Sequence, residues 1–219
     1  MDDLDTAAPV AAEEGDAQPM SRAERRDQQV QRILDAAKAC FVRYGFQGAS
    51  MQQVCAEAGM SPGALYRYFA SKEAIIEAIT DADAREDAKI FEVMLASKSV
   101  VDGVVEAAMA HIRHVHEHGL AGLFAEIRAE SMRNPSIRTC CTEHMGQIMG
   151  LFHVHLGAAI QRGDIAPVVG LETLLPTILS FCEGLAINDP LGQGMADADL
   201  QTIIRATAVA LLRPAPTTA

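Results

Sequence analysis

Two clusters of side chains stand out for the chemistry their types and spacing could support. Between Tyr66 and Lys72 lie two phenols, a guanidinium and an ammonium, carried by Tyr66, Tyr68, Arg67 and Lys72. Phenol hydroxyls and an ammonium suit phosphate oxygens, and a guanidinium can read a guanine edge through paired hydrogen bonds. Between positions 111 and 118 stand His111, His114, His116 and His118. His111, His114 and His118 step by three and four, so a helix would place them on one face, as metal ligands or as acid–base groups of an all-helical enzyme. The other reading is a polar face near a helix end, where imidazole suits the negative dipole. No cysteine or carboxylate stands at a fixed ligand spacing nearby, which weighs against metal, and no motif calls for a cofactor.

The elements that must position the first cluster can be read from local signals. Ser21 with Glu24 forms a capping box, after which Val30, Leu34, Ala37, Phe41 and Tyr44 recur at helical steps up to Gly45, a glycine stop. Ser50 with Gln53 is a second capping box, opening a short helix through Met51, Val54 and Ala58 that ends at Gly59. Ser61-Pro62 then supplies a cap and a proline at the first helical position. Leu65 and Phe69 face inward from this third helix and turn Ala64, Arg67 and Tyr68 outward; Ser71 caps a fourth helix through Ile75, Ile76 and Ile79. Two short helices around a glycine-containing turn make a helix-turn-helix at about 50–69, and a helix anchored from inside can be presented to a major groove. Small residues at Gly63 and Ala64 allow close approach to a phosphate.

Charge is distributed to match. The chain carries −11 overall, yet residues 21–72 hold eight Lys/Arg against four Asp/Glu, for +4. Residues 1–20 hold six acids and no base, lack aromatics, and read as a disordered acidic tail. Five scattered cysteines without a C-x-x-C argue against a disulfide framework or redox motif. Neither a signal peptide nor a membrane-length apolar run is present, so a cytoplasmic protein is expected.

Beyond residue 72 only helical patterns occur, at about 72–95, 101–118, 120–132, 135–162, 170–187 and 197–212, which makes an all-α protein of about nine helices. Met145, Met149, Phe152 and Leu156 form an apolar stripe that reads as core or as the lining of a pocket. Arg128 and Glu183 are charges within apolar helices, suited to an internal ion pair or to a polar ligand. With Ile112, Ile127 and Phe181, the residues Arg128, Met145, Met149, Phe152 and Glu183 are the candidate ligand contacts. Adjacent Cys140 and Cys141 could sense oxidants or simply fill space. The last two helices are apolar on more than one face and need a second partner.

The residues of the N-terminal segment go further than their spacing. Ile33, Ala36-Ala37, Phe41, Tyr44-Gly45-Phe46, Ala49-Ser50-Met51, Val54, Ala58-Gly59-Met60-Ser61, Gly63-Ala64-Leu65-Tyr66, Tyr68-Phe69 and Ser71-Lys72-Glu73 closely resemble the tetracycline-repressor (TetR) family of bacterial regulators, over about residues 27–79. The resemblance implies a DNA-binding domain at 21–72 and a ligand-binding and dimerisation domain at 73–219. It implies a homodimer that joins through its final two helices, binds palindromic double-stranded operator DNA and mostly represses. A small-molecule inducer would move the fourth helix and spread the DNA-reading heads; an apolar pocket suits a lipophilic compound, with drug efflux as the matching target. Carried over by position, Ser50, Gln52, Pro62, Gly63, Ala64, Tyr66, Arg67 and Tyr68 would touch DNA, and Lys72 would bind a phosphate. Ala64 stands where many relatives carry Thr or Ser, so one polar base contact would be missing.

Overall fold

The computed structural model describes residues 21–216, and of residues 83–87 the backbone alone; the expected acidic tail lies outside the described residues. Among the described residues nine helices follow one another: α1 (Arg22–Gly48), α2 (Met51–Glu57), α3 (Pro62–Leu65), α4 (Lys72–Ala96), α5 (Val100–Glu117), α6 (Ala121–Ser131), α7 (Pro135–Arg162), α8 (Leu171–Asn188) and α9 (Asp197–Leu212). No strand occurs among the described residues; one isolated bridge joins Ile165 to Pro214.

Both capping boxes form. Ser21 Oγ accepts from the Glu24 amide at 3.1 Å while the Ser21 amide donates to Glu24 Oε2 at 2.6 Å, and Ser50 and Gln53 do the same at 3.2 and 2.7 Å. Ser61 and Ser71 cap α3 and α4 through the Ala64 and Ala74 amides. Each cap satisfies an otherwise orphaned amide, worth about 1 kcal/mol, which starts the helices where the sequence says.

Three local expectations are corrected. Gly45 does not stop α1. It takes φ 71° and ψ 160°, a kink after which helix resumes to Gly48. The reason is Phe46, which is buried against Phe41 with ring centroids 5.3 Å apart; an uninterrupted helix could not aim both rings into one core. Tyr44 is exposed, so the inward stripe is Ile33, Leu34, Ala37 and Phe41. And α3 is four residues, not a helix running to Phe69. It tightens after Leu65, where the Tyr68 amide reaches back only three residues to the Leu65 carbonyl at 2.8 Å. Leu65 and Phe69 are nonetheless both buried.

Apolar packing falls into two clusters. One joins α5, α7, α8 and α9 around Val105, Met109, Ile112, Leu156 and Ile204. The other holds the N-terminal helices together and continues through Ile75, Ile76 and Ile79 of α4 to Leu123 of α6 and Ile137 of α7. The N-terminal head is therefore seated on α6 and α7, not hung from a linker. No helix among the described residues is long and apolar enough to cross a membrane.

Candidate nucleic-acid interface and internal cavity

The head presents a coherent outer face. Ser50, Gln52, Pro62, Gly63, Tyr66 and Arg67 are exposed, and Ala64, Tyr68 and Lys72 are half-buried. Arg67 makes no hydrogen bond or ion pair with another described residue, so its guanidinium is available to an outside partner. Tyr68 leans partly on the head core, which leaves its side chain less reach than Tyr66. Ser50 Oγ is engaged with Gln53, accepting from its amide and donating to its Oε1 at 2.9 Å. The turn between α2 and α3 depends on Gly59, at φ 61°; a Cβ there would also stand 2.6 Å from the Arg32 guanidinium.

Lys72 occupies a different setting from the other eight. Its Nζ donates to the Phe46 carbonyl at 2.6 Å and the Ala49 carbonyl at 2.7 Å, and lies 4.6 Å from the centre of the Phe46 ring. These carbonyls end α1, where helical dipoles favour a cation. With a longer contact to the Gln47 carbonyl at 3.5 Å, Lys72 thus ties the start of α4 to the α1–α2 connection.

Across the same junction α6 supplies two carboxylates. Glu126 Oε2 accepts from the Phe46 amide at 3.0 Å, the first N–H after the Gly45 kink. Glu130, 1 % exposed, accepts from Gln47 Nε2 at 2.7 Å and pairs with Arg133 at 3.0 Å. A buried carboxylate is tolerable only when its oxygens are satisfied in this way.

The opposite face of α6 forms part of a cavity of about 170 Å³. Its wall comes from α4 (Thr80, Ile90), α5 (Val104, Ala107, Ala108, His111, His114), α6 (Phe124, Ile127, Arg128), α7 (Cys141, His144, Met145, Ile148, Phe152) and α8 (Ile178, Leu179, Cys182, Glu183). Ile127, Arg128, Met145, Phe152 and Glu183 are gathered there as the sequence suggested. Arg128 Nε donates to Glu183 Oε1 at 2.8 Å and Nη2 to both carboxylate oxygens, closing the expected ion pair at the cavity edge. Ile112, Met149 and Phe181 are not part of the wall. Successive helical residues are turned by about 100°, so Ile112 faces the core beside His111, and Phe181 packs partly on that same core.

The histidines divide. His111 packs edge-on to Phe124 with centroids 5.9 Å apart, and His111 and His114 face the cavity with His144. His116 Nδ1 lies 2.8 Å from Asp189 Oδ1, and His118 folds back on His114, its Nδ1 2.9 Å from the His114 carbonyl. Among the described residues no group of three or more His, Cys, Asp or Glu is placed to hold a metal ion. The wall residues missed by the sequence reading, above all His144, Cys182 and the α5 row Val104–Ala107–Ala108, do show helical spacing; what the chain alone lacked was which face turns inward. Burial pushes the Cys140 and Cys141 thiols up, and Cys182 to about 11. That leaves little thiolate for oxidant chemistry at neutral pH.

Comparison with known proteins supports the same head. The family model "Bacterial regulatory proteins, tetR family" matches residues 33–79. The transcriptional regulator UidR of Escherichia coli (strain K12) is 33% identical over 155 residues, 70% of this chain and 78% of UidR. The transcriptional repressor AcnR of Corynebacterium diphtheriae is 30% identical over 155 residues, 68% and 76% of the two chains. The solved structure of Salmonella enterica GusR is 31% identical and superposes with a TM-score of 0.75, covering 85% of this chain and 96% of that one. The all-helical order of the described residues, a helix-turn-helix with an exposed Arg67, and relatives that are themselves regulators converge on one conclusion: the chain is a DNA-binding transcriptional regulator and belongs to the TetR family.

Proposed function

We propose that the protein is a cytoplasmic repressor that binds a palindromic operator as a homodimer and is released by a small molecule in the α4–α8 cavity. The observation that carries the ligand-gated reading is the double engagement of α6: Phe124, Ile127 and Arg128 line the cavity, while Glu126 and Glu130 hold Phe46 and Gln47 of the head. A ligand that prefers a shifted α6 moves the head with it, and α4 follows through Lys72. It can shift the equilibrium only by its differential affinity for the two states, commonly about 5–150-fold. The repressor named among the relatives supports the sign of control. The apolar majority of the wall supports a lipophilic inducer, for which an efflux gene is the matching target.

On DNA, the head at 21–72 places Tyr66, Arg67 and Gln52 toward bases and phosphates, with Ser50, Pro62, Gly63, Ala64 and Tyr68 completing the contact. Lys72 fixes the α1–α2 connection, its Nζ turned to the Phe46, Gln47 and Ala49 carbonyls, and would reach a phosphate only by giving up the longest of these contacts. Arg67→Ala should cost about 1–3 kcal/mol of operator affinity and relax specificity at one base-pair position. Mobility shifts across a set of single-position operator variants would read this. A uniform loss over all sequences would assign Arg67 to phosphate instead.

The body at 73–219 carries the dimer face. α8 offers the exposed small residues Thr173, Thr177 and Ser180 at four- and three-residue steps, and α9 offers exposed Ile203, Ala206 and Val209 at three-residue steps. Small side chains let two such pairs approach closely around a twofold axis.

Gating can be tested without knowing the ligand. Ala108→Phe places a ring in the cavity and should weaken operator binding by about 5–150-fold in a folded dimer. Adding Glu126→Ala, which removes the acceptor of the Phe46 amide, should recover part of that loss. Unchanged operator affinity in a folded Ala108→Phe protein would refute the gating.

A further inference from the structure

The cavity has two chemically different ends, and the order of residues along its wall helices shows where they lie. α4 and α7 run in the same direction: Ser136 Oγ donates to Glu77 Oε1 at 3.3 Å near their starts, and Phe91 meets Phe152 with centroids 5.8 Å apart further along. α5 returns antiparallel from the short Ser97–Ser99 connection, so its Val104 lies toward the Ile90 end and its His111 and His114 toward the Thr80 end. Cys141 of α7 feels both Arg128 and Glu183, which sets that ion pair level with the α7 start.

Along α4, α5 and α7 the polar wall residues therefore lie toward one end and the large apolar ones toward the other. Thr80, His111, His114, Arg128, His144 and Glu183 mark the end nearer the head; Ile90, Val104, Ile148, Phe152 and Ile178 mark the other. From Cys141 to Phe152 the α7 axis advances about 16 Å, the length of a medium-chain amphiphile. At the polar end stand one guanidinium, one carboxylate paired with it and three imidazoles. Within the wall the guanidinium and its carboxylate carry opposite charges, and the imidazoles add polar ring nitrogens. Arg128 uses Nε and Nη2 on Glu183, and its Nη1 takes no part in that pair. Arg128 is 42% and Glu183 25% exposed, so a ligand can reach them.

Resting on the ligand-gated reading above, we propose that the effector is an amphiphilic anion. Its carboxylate or phosphate oxygens share the Arg128 guanidinium and the imidazoles, and its apolar body extends toward Phe152. Glu183 tunes the site, holding Arg128 in place and penalising anions that lack an apolar body to add binding energy.

The test uses four probes of one chain length on the full-length protein, by isothermal titration: octanoate, octyl phosphate, octanamide and octyltrimethylammonium. Octanoate, octyl phosphate or both should bind about tenfold or more tighter than octanamide, with the cation weakest; the two anions distinguish a carboxylate from a phosphate head. Arg128→Met, and Arg128→Met with Glu183→Leu as the charge-free control, should bring the anions down to the octanamide level while octanamide binding persists. Glu183→Gln should move the other way and tighten the anions, a response that a merely structural ion pair would not give. Octanamide or the cation binding as tightly as the anions would overturn this inference and leave the cavity a ligand site. No binding by any of the four, or binding that Ala108→Phe does not block, would overturn the ligand-site reading and this inference together.

Discussion

A glutamate at position 209 should leave the chain folded and take away its operator-specific binding. Val209 projects from α9 with 43% of its surface exposed, so Val209→Glu removes almost no packing within one subunit. Exposed changes of this kind shift stability by only about 0.5 kcal/mol. If α8 and α9 form the twofold interface, however, the substitution brings two carboxylates together near the axis, because each subunit contributes the same patch. Desolvating like charges at an interface costs several kcal/mol and should drive the protein to single chains. A lone head then reads one half-site. Affinity should fall by about a thousandfold or more, toward the 10⁻⁴–10⁻⁶ M typical of non-specific binding. Light scattering paired with operator titration would read both effects. A dimer of undiminished affinity would place the interface elsewhere.

The second large effect is expected from Leu65→Ala. A helix of four residues has no stability of its own, since nucleation alone costs more than one turn returns. α3 exists because Ser61 caps it and because Leu65, fully buried, anchors it in the apolar core of the head. Removing that side chain should cost about 2–5 kcal/mol, concentrated on the segment that carries Tyr66, Arg67 and Tyr68. Operator affinity should fall by about tenfold or more as the ordered fraction of that segment falls. The cavity core around Val105 and Leu156 should keep its structure, because Leu65 belongs to the other apolar cluster. Hydrogen exchange would localise the change: faster exchange at the Tyr68 and Phe69 amides, which bond to Leu65 O, with α5 and α8 unaltered. Unimpaired operator binding would mean that α3 is held by something other than Leu65.

Whatever was local in cause was legible in the residues. Serine caps at Ser21, Ser50, Ser61 and Ser71 and the glycine turn at Gly59 involve partners within a few positions, and the starts of α1 to α4 followed from them. The exposed face of the head followed as well, because Leu65 and Phe69 fix by spacing which side turns in. Causes at long range were not legible. Gly45 reads as a stop, yet the residue that lets the helix resume is Glu126, 80 positions away. Lys72 reads as a free cation, yet its partners are carbonyls that only the fold brings near. The cavity was half-legible for the same reason. The α7 stripe Met145–Phe152 was visible, while the choice of Ile148 over Met149 depends on how α7 is rotated against α4 and α8.

The Gly45 kink also bears on how separable the two halves of such a regulator are. The last turn of α1 receives its capping acceptor from α6 and not from its own neighbourhood. A DNA-reading head cut at residue 72 and spliced onto a sister body would arrive with that amide unserved and Gln47 without Glu130. The natural unit of exchange in a chimera is thus residues 21–72 together with Ala121–Ser131. A head moved onto a different body keeps both contacts only where the recipient α6 presents carboxylates in the same two places.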